Sequence, residues 1–323
     1  MVLILSDHDD HSTTYVIDWL IYHQVEYKRI NGWDRIEIID INIEKQQSAI
    51  KITNYFGEVS LINLFDIKGY WYRRGGFNLI NYTTITEDFY TNIKTFYSAE
   101  KNYLMNFLHD IIHLNPNIKI IGNIQFNNIN KLSMLLIARQ CGLEIPHSLV
   151  SSNKNNVKKE YKDNRIITKT LNIPLNIDES EKVSNVLFTS EIKLDDIVDE
   201  NFEPTLFQEL LDKKYELRIF YLNNILYSSC IFSQNDAQTA IDFRNYNHTK
   251  PNRAIPFLMP KDIEFKLINF MNEIKLNSGS IDIVVTKEDK FVFLEVNPVG
   301  QFAQVSHPCN YNLENKIATE LIK

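Results

Sequence analysis

The sequence predicts a mixed α/β protein, with α+β character in its later part, folded into more than one lobe. Strand-like and helix-like runs alternate from Val2 to about Ile121, which is typical of an α/β lobe built on a parallel sheet. The 323 residues are enough for two or three packed lobes. A hydrophobic content of 44% and an aromatic content of 12% are typical of a folded globular protein rather than of a disordered one.

The first lobe opens with an apolar run. Residues 1–5 are apolar but carry no basic segment before them, and the chain turns polar at Ser6, so we expect a buried strand rather than a signal peptide. No run approaches the length of a membrane span, and we expect no membrane partner. The expected elements are strands at 2–5, 36–41, 68–73 and 119–122, and helices at 14–23 and about 88–112.

The rest of the chain predicts further helices and several hairpins. A helix is expected from Asn130 to Cys141, because Gly142 follows where a C′ glycine ends a helix. The polar stretch 154–164 predicts hydrated surface, and 215–224 predicts a strand that enters an Asn-Asn turn suited to positive φ angles. The other expected elements are strands at 165–170, 185–193 and 205–211, a helix near 263–274, and a C-terminal helix.

Charge and cysteine content restrict the partners and the compartment. The formal net charge is −7 and no continuous basic stripe is present, so nucleic acid is not an expected partner. Cys141, Cys230 and Cys309 are odd in number and far apart in sequence, which favours free thiols in a reducing, cytoplasmic setting.

Acidic residues near the C-terminus predict a metal site on a hairpin. Two apolar runs, 280–285 and 291–298, flank a polar turn, and a turn centred between residues 288 and 289 places Asp282 opposite Glu295. Because side chains alternate along a strand, Asn297 then shares a face with Glu295. Facing carboxylates repel unless a positive charge lies between them, and Mg²⁺ with ATP phosphates suits this oxygen set. A solvated acidic hairpin is the alternative.

The string Phe293-Leu294-Glu295-Val296-Asn297-Pro298-Val299-Gly300-Gln301-Phe302, with Asp282 before it, resembles the metal-binding end of ATP-grasp ligases. Its extension beyond Pro298 is more specific, and resembles the ATP-grasp maturases of graspetides, ribosomal peptides closed by side-chain ester or amide links. The resemblance implies an ATP-grasp fold with a pre-ATP-grasp α/β domain at 1–122, a central lobe at 123–205 and a C-terminal metal-binding lobe at 206–323. Residues 171–185 contain no glycine, so the glycine-rich flap of many ATP-grasp ligases is missing, as the resemblance to peptide maturases implies.

The same resemblance implies a nucleotide site. Lys131 and Lys169 would hold the phosphates, a role suited to flexible point charges, although each taken alone could be a solvated surface residue. The hinge Gln208-Glu209-Leu210 would pair with adenine, and Glu216 would lie near the ribose. The alternatives are an exposed strand edge at the hinge and a surface ion pair between Glu216 and its same-face neighbour at position 218.

Two arginines are the candidate catalytic residues. Phosphorylation of a carboxylate brings two anions together, so a fixed guanidinium near the metal is needed. The resemblance assigns this role to Arg244, in an Asp-x-Arg segment, with Arg218 as its partner. Asp242 either orients Arg244 or is a local turn residue.

The implied reaction is the ATP-dependent closure of a ring on a precursor peptide. An Asp or Glu side chain is phosphorylated, and a Ser or Thr hydroxyl or a Lys amine of the same peptide then displaces phosphate. The resemblance implies ATP and Mg²⁺ as cofactors, a homodimer, and a leader segment held near residues 185–196, which could equally be only structural. Two alternatives remain: a carboxylate-amine ligase for free amino acids or protein tails, and a non-catalytic module that binds nucleotide or leader peptide.

Two further motifs lie in the first lobe. His8-Asp9-Asp10-His11 could bind a second metal, but a loop after the first strand is the stronger interpretation. Arg73 and Arg74 end a strand and either face the acidic substrate or are exposed to solvent.

Overall fold

The structure, a computed structural model, describes residues 1–80, 91–126, 129–162, 164–171, 176–179, 183–186, 189–234, 249 and 251–323. The helices are α1 (His11–Tyr22), α2 (Thr91–His113), α3 (Lys131–Gln140), α4 (Lys154–Tyr161), α5 (Lys261–Glu273), α6 (Ala303–Cys309) and α7 (Leu313–Ile322). The strands are β1 (Val2–Ser6), β2 (Tyr27–Asn31), β3 (Arg35–Asn42), β4 (Gln47–Thr53), β5 (Val59–Ile62), β6 (Gly69–Tyr72), β7 (Lys119–Ile121), β8 (Ser148–Asn153), β9 (Ile166–Lys169), β10 (Asn176–Glu179), β11 (Val183–Val186), β12 (Ser190–Ile192), β13 (Asn201–Glu209), β14 (Lys213–Leu222), β15 (Ile225–Phe232), β16 (Arg253–Phe257), β17 (Ser278–Thr286) and β18 (Phe291–Asn297).

The first compact unit contains Met1–Asn127 and Asn312–Lys323. Its main sheet is parallel, with strand order β2-β1-β6-β7, and β1 and β6 are buried along their whole length, as expected for a parallel sheet covered on both faces. Helix α7 packs against α1, β6 and β7. A Cβ at Gly69 would lie 2.4 Å from the carbonyl oxygen of Leu321, so only glycine allows the end of α7 to approach β6 this closely.

One predicted strand of this unit belongs to a different sheet. The strand expected at 36–41 forms β3, which pairs antiparallel with β4 in the three-stranded sheet β3-β4-β5 instead of joining the parallel sheet. The connection from β3 to β4 spans only residues 43–46, and a connection this short allows antiparallel pairing alone. The prediction of alternating α/β structure was therefore wrong for this segment and holds for β1, α1 and β6.

The second unit, Asn128–Tyr311, contains two larger antiparallel sheets. Their strand orders are β12-β9-β13-β8 and β16-β15-β14-β17-β18, and the hairpin β10–β11 is separate from both. All nine residues of β17 are buried, α3 packs against β18, and α6 packs against β14, β15 and β16. Asn223 and Asn224 join β14 to β15 with φ angles of 45° and 66°, as their sequence predicted.

Helices α3 and α4 test two local predictions. The side chain of Asn130 accepts the backbone N–H of Leu132 at 3.0 Å, and α3 ends before Gly142 (φ 80°), so the predicted helix is confirmed. The segment predicted as hydrated surface forms α4, in which Val157 and Tyr161 are fully buried. That prediction was wrong for this face, because apolar residues four apart align on one side of a helix.

No helix among the described residues has the length and apolarity needed to cross a membrane. The two units do not test the predicted lobe bounds at residues 122 and 205, which stay a prediction.

Candidate active site

Strands β17 and β18 form the predicted hairpin, and Asp282 lies directly opposite Glu295. The neighbouring pair is Ile283 with Phe293, so Leu294 is an extra residue in β18. Between the turn and this bulge, the strands pair one residue away from the predicted register. Beyond the bulge, at Asp282 and Glu295, the pairing is the predicted one. The pairing that the metal-site hypothesis requires is therefore confirmed.

Each of these two carboxylates has a basic partner. Arg218 lies opposite Asp282 on β14, and its Nη1 donates to both carboxylate oxygens, at 2.7 and 2.6 Å. The Arg218 and Asp282 side chains are only 6% and 9% exposed. Nζ of Lys131 lies 3.7 Å from Oε2 of Glu295, whose side chain is 21% exposed. The positive charge that facing acidic residues require thus comes from two residues predicted for the same site.

Asn297 lies at the exposed end of β18, and its side chain stabilises the turn that follows. Its Oδ1 accepts the N–H groups of Val299 at 3.2 Å and of Gly300 at 3.3 Å. Gly300 has a φ of 43°, and a Cβ at this position would lie 2.7 Å from the backbone nitrogen of Ser280, so glycine is required. A metal ion bound by Oδ1 would compete with these two N–H donors.

A cleft in the second unit is lined by residues of both antiparallel sheets. The cleft is open to solvent, and the space inside it, its open mouth included, measures about 600 Å³. Seven of the residues predicted as nucleotide or metal ligands line it: Lys169, Gln208, Glu209, Leu210, Glu216, Asp282 and Glu295. Apolar walls that the sequence analysis did not identify come from Pro146, Ile167, Leu211, Val284 and Leu294.

The hinge between β13 and β14 carries backbone groups toward this cleft. The N–H of Glu209 donates to the carbonyl of His147 at 3.1 Å, and the N–H of Leu210 donates to the carbonyl of Arg165 at 2.9 Å. Leu211 lines the cleft and donates no backbone hydrogen bond to any residue that the structure describes. Next to the predicted hinge residues, Leu211 therefore has a backbone N–H that a ligand could use.

The side chains of the hinge strand hold β13 in place. Nε2 of Gln208 donates to Oγ of Ser148 at 2.8 Å, and Oε1 of Glu209 accepts the N–H of His147 at 2.8 Å. Gln208 is 2% exposed, and its Oε1 is buried without a hydrogen-bond partner among the described residues. Such an atom at a cleft wall is costly unless a ligand or water reaches it.

The sequence analysis missed Lys213. Its Nζ donates to Oε1 of Glu216 at 2.8 Å, and Oγ of Ser233 donates to the same oxygen at 2.7 Å. Alternation along a strand places residues 213 and 216 on opposite faces, but Lys214 is an extra residue between two pairs of the β14–β17 ladder. The bulge turns Lys213 onto the face of Glu216, and no sequence pattern indicated it.

Other predicted residues fall outside this cluster. Arg244 and Asp242 lie outside the described residues. In the first unit, ligand atoms of Asp7, His8 and Asp9 lie within 4.8 Å of one another, in the loop that the sequence predicted after the first strand.

Asp10 has a structural role instead of a metal-binding one. Its side chain accepts the N–H of Ser12 at the start of α1 and lies 2.9 Å from Nε of Arg73, and both charged side chains are buried. Burial by itself raises the pKa of Asp10. Arg73 and the Ser12 hydroxyl together lower the pKa by more than burial raises it, so the net effect is a pKa below the ordinary value. Arg73 is thus a buried partner of Asp10, while Arg74 is 44% exposed.

Comparison with known proteins identifies the fold class. No protein-family model and no curated protein matches the chain. Among solved structures, a RiPP-associated ATP-grasp ligase of Chryseobacterium gregarium, in complex with ADP and a leader and core peptide, is 23% identical with a TM-score of 0.78, covering 99% of this chain and 95% of that chain. The chain therefore has the ATP-grasp fold that its motifs resembled.

One macrocyclase structure and one further ATP-grasp ligase structure show the same fold. The macrocyclase MdnC of Microcystis aeruginosa, bound with its precursor peptide MdnA, is 24% identical with a TM-score of 0.74, covering 99% of each chain. The ATP-grasp ligase PsnB, complexed with a minimal precursor, Mg and ADP, is 14% identical with a TM-score of 0.71, covering 99% of this chain and 96% of that chain. The likeness thus extends over whole chains and includes both units.

The described residues suit a magnesium–nucleotide site. Arg218, Asp282 and Glu295 occupy directly paired positions on β14, β17 and β18, and Lys213 and Glu216 lie on the same face of β14 as Arg218. Carboxylates that can hold Mg²⁺ thus alternate with cations that can face phosphate oxygens. The buried Nε of Arg218 has no hydrogen-bond partner among the described residues, which leaves a donor for an anion.

Proposed function

We propose that this protein is an ATP-dependent peptide maturase. It phosphorylates Asp or Glu side chains of a ribosomal precursor peptide and closes macrocyclic ester or amide links with Ser, Thr or Lys side chains. One observation carries the proposal: a cleft lined by the predicted nucleotide and metal residues lies in a chain whose fold matches, over 99% of its length, ligases solved with precursor peptides.

The residues have distinct roles in nucleotide binding. The apolar walls and the N–H of Leu211 suit adenine, Glu216 suits the ribose hydroxyls, and Lys169 and Lys131 suit the phosphates. Asp282 and Glu295, with Asn297 after a change of its side-chain rotamer, would hold Mg²⁺. Bound there, the ion would offset phosphate charge during transfer.

The chemistry needs a cation where two anions meet. The peptide carboxylate attacks the γ-phosphorus of ATP, and the bond from this phosphorus to the bridging oxygen breaks. ADP departs, and the peptide then carries an acyl phosphate. A hydroxyl or amine of the same peptide then attacks the acyl carbon, losing its proton as phosphate leaves, and one water is removed overall. Arg218, with a buried unpartnered Nε, suits the carboxylate and the transferred phosphoryl group, and Arg244 is its proposed partner.

The test of this function compares acceptors. The protein is incubated with ATP, Mg²⁺ and the short peptide encoded beside its gene, chosen for Thr or Ser with Asp or Glu, and separately with free amino acids. We expect the peptide to lose the mass of one water per ring while ADP and phosphate form. ADP release with amino acids alone and an unchanged peptide would instead favour an amino-acid ligase.

Two finer assignments complete the proposal. The leader segment of the peptide binds near 185–196, a segment that begins in β11, and the protein is a homodimer. Residues 187 and 188 and the side chains of residues 185 and 186 lie outside the described residues. Light scattering during gel filtration tests the dimer, which requires twice the mass of one chain.

A further inference from the structure

A buried ion pair lies in the wall of the cleft at the start of β14. The Lys213 and Glu216 side chains are 5% and 7% exposed, with Nζ and Oε1 2.8 Å apart, and both residues line the cleft. Ser233, which is fully buried, donates to the same oxygen of Glu216. One carboxylate oxygen is therefore held by two donors, which fixes the plane and direction of the carboxylate.

Such a pair is poorly explained by fold stability alone. Removing a lysine and a glutamate from water costs several kcal/mol per ion, and a well-packed apolar pair often stabilises a protein equally well. Val284, directly opposite Glu216 on β17, offers apolar surface against which such a pair would pack. A charged pair in the wall of a cleft instead suits contact with a polar ligand.

The order of groups along β14 suggests what the carboxylate contacts. The hinge residue Leu211 precedes Lys213, and Glu216 lies two residues before Arg218, which corresponds to about 7 Å along a strand. A nucleotide that extends from the hinge toward Asp282 has its sugar between its base and its phosphates. Glu216 lies at that middle position.

Charge balance adds a second reason for a lysine here. Glu216, Asp282 and Glu295 share one face of the sheet with the polyphosphate of the proposed ligand. Asp282 and Glu295 are contacted by Arg218 and Lys131, as described above. Lys213 offsets the third carboxylate, which would otherwise repel the phosphates.

We propose that Lys213 is a positioning residue that selects ribonucleotides. It holds Glu216 ionised and directed into the cleft, where the carboxylate accepts hydrogen bonds from the sugar hydroxyls. The inference rests on the proposed function, because it requires ATP in this cleft. It assigns the choice between ribose and deoxyribose to the Lys213–Glu216–Ser233 network.

The experiment compares two adjacent lysines. Lys214, the bulge residue, points to solvent with a 50% exposed side chain and pairs with Asp289, so Lys214→Met is the matched control for Lys213→Met. Calorimetry measures the Kd of ATP, 2′-deoxyATP and 3′-deoxyATP with Mg²⁺. We expect wild type and Lys214→Met to prefer ATP by about 10- to 100-fold, as for hydrogen bonds to a charged group, and Lys213→Met to lose most of this preference.

Two further variants protect the test against misfolding. Lys213→Met/Glu216→Gln removes both charges together and leaves no uncompensated ion, so it tests the network as a whole if the single variant does not fold. We expect its preference for ATP to fall at least as far as that of Lys213→Met, and an unchanged preference overturns the role of the network. Lys213→Arg retains the charge and should keep part of the preference.

The outcomes separate this inference from the function on which it rests. An unchanged preference for ATP in Lys213→Met overturns the role of Lys213, and so does a wild type without any preference. In both cases ATP binding by the wild type still supports the proposed peptide maturase. Absence of ATP binding by the wild type overturns the proposed function as well.

Discussion

At the scale of single residues, the Arg218–Asp282 pair is a buried ion pair with two short hydrogen bonds. Both oxygens of Asp282 accept from one nitrogen of Arg218, and both side chains are buried. A charge left alone in such a place costs far more than the intact pair contributes. The pair therefore limits which substitutions the sheet tolerates, independently of any role in catalysis.

Asp282→Ala should lower the free energy of unfolding by about 3–5 kcal/mol, because Arg218 is left as an uncompensated buried charge. The double variant Asp282→Ala/Arg218→Met should recover at least half of that loss. Urea unfolding of the three proteins measures both values. A single variant as stable as the wild type would show that the pair is hydrated in solution.

At the scale of elements, two bulges determine which side chains reach the cleft. Leu294 in β18 sets Glu295 opposite Asp282, and Lys214 in β14 turns Lys213 toward Glu216. A one-residue shift moves every following side chain to the other face of a strand. The faces of Lys213 and Glu295 thus depend on bulges at two residues, of which Leu294 lines the cleft and Lys214 does not.

Deletion of Leu294 should leave the two carboxylates paired. Without the extra residue, Glu295 follows Phe293 directly and still pairs with Asp282 in a ladder that has no bulge, so we expect Mg²⁺-dependent binding of an ATP analogue to stay within about 10-fold of wild type while the strand content is retained. Circular dichroism measures the strand content, and calorimetry measures the binding. Loss of nearly all binding after deletion of Leu294 would contradict the register argument.

The stability of the packing between helix α2 and β6 should fall in acid because of His109. The His109 side chain is buried against β6, where Nδ1 lies 3.0 Å from the hydroxyl of Tyr70, and its Nε2 has no partner among the described residues. Burial, followed by the nearby His113, lowers the pKa of His109 from 6.5 to about 4. The unfolded chain then binds more protons than the folded one between these values, so stability is complete above about pH 6.5 and falls toward pH 4.

That loss amounts to about 3 kcal/mol for a shift of this size. His109→Gln, which keeps a hydrogen-bonding group near Tyr70, should flatten the pH dependence of unfolding between 6.5 and 4. His11→Gln, at an exposed position, should leave the dependence unchanged. Equal slopes for wild type and His109→Gln would refute the assignment.

The residues of the site were predicted from the sequence more accurately than the pairing of every strand. The hairpin with Asp282 and Glu295 was predictable because apolar runs and a polar turn define a register locally. Lys213 was not predictable, because a bulge breaks the alternation on which face assignment depends. The membership of β3 in an antiparallel sheet was missed because β4 and β5, its partners, were not predicted.

At the scale of the whole molecule, the cleft is less acidic than the chain. The chain has 41 acidic and 34 basic residues, whereas the four acidic residues that line the cleft are matched by Lys131, Lys169, Lys213 and Arg218 in or beside it. Cations at these positions offset the repulsion between the carboxylates and an anionic ligand. The net acidity of the chain therefore does not argue against anionic substrates.

Nucleotide binding should also stabilise the whole chain. At a concentration of 100 times its Kd, a non-hydrolysable ATP analogue with Mg²⁺ should add about 2.7 kcal/mol to the free energy of unfolding. Removal of Mg²⁺ with a chelator should abolish most of this gain, because the carboxylates then face the phosphates without an intervening cation. Thermal unfolding with and without chelator measures the effect, and an equal gain in both conditions would count against a metal at Asp282 and Glu295.

The most direct measurement is the mass of the precursor peptide after incubation with wild type or Glu295→Ala, ATP and Mg²⁺. We expect the wild type to remove one water per ring and Glu295→Ala to leave the peptide unchanged while still binding it. Equal dehydration by both proteins, or an unmodified peptide with the wild type, would contradict the account.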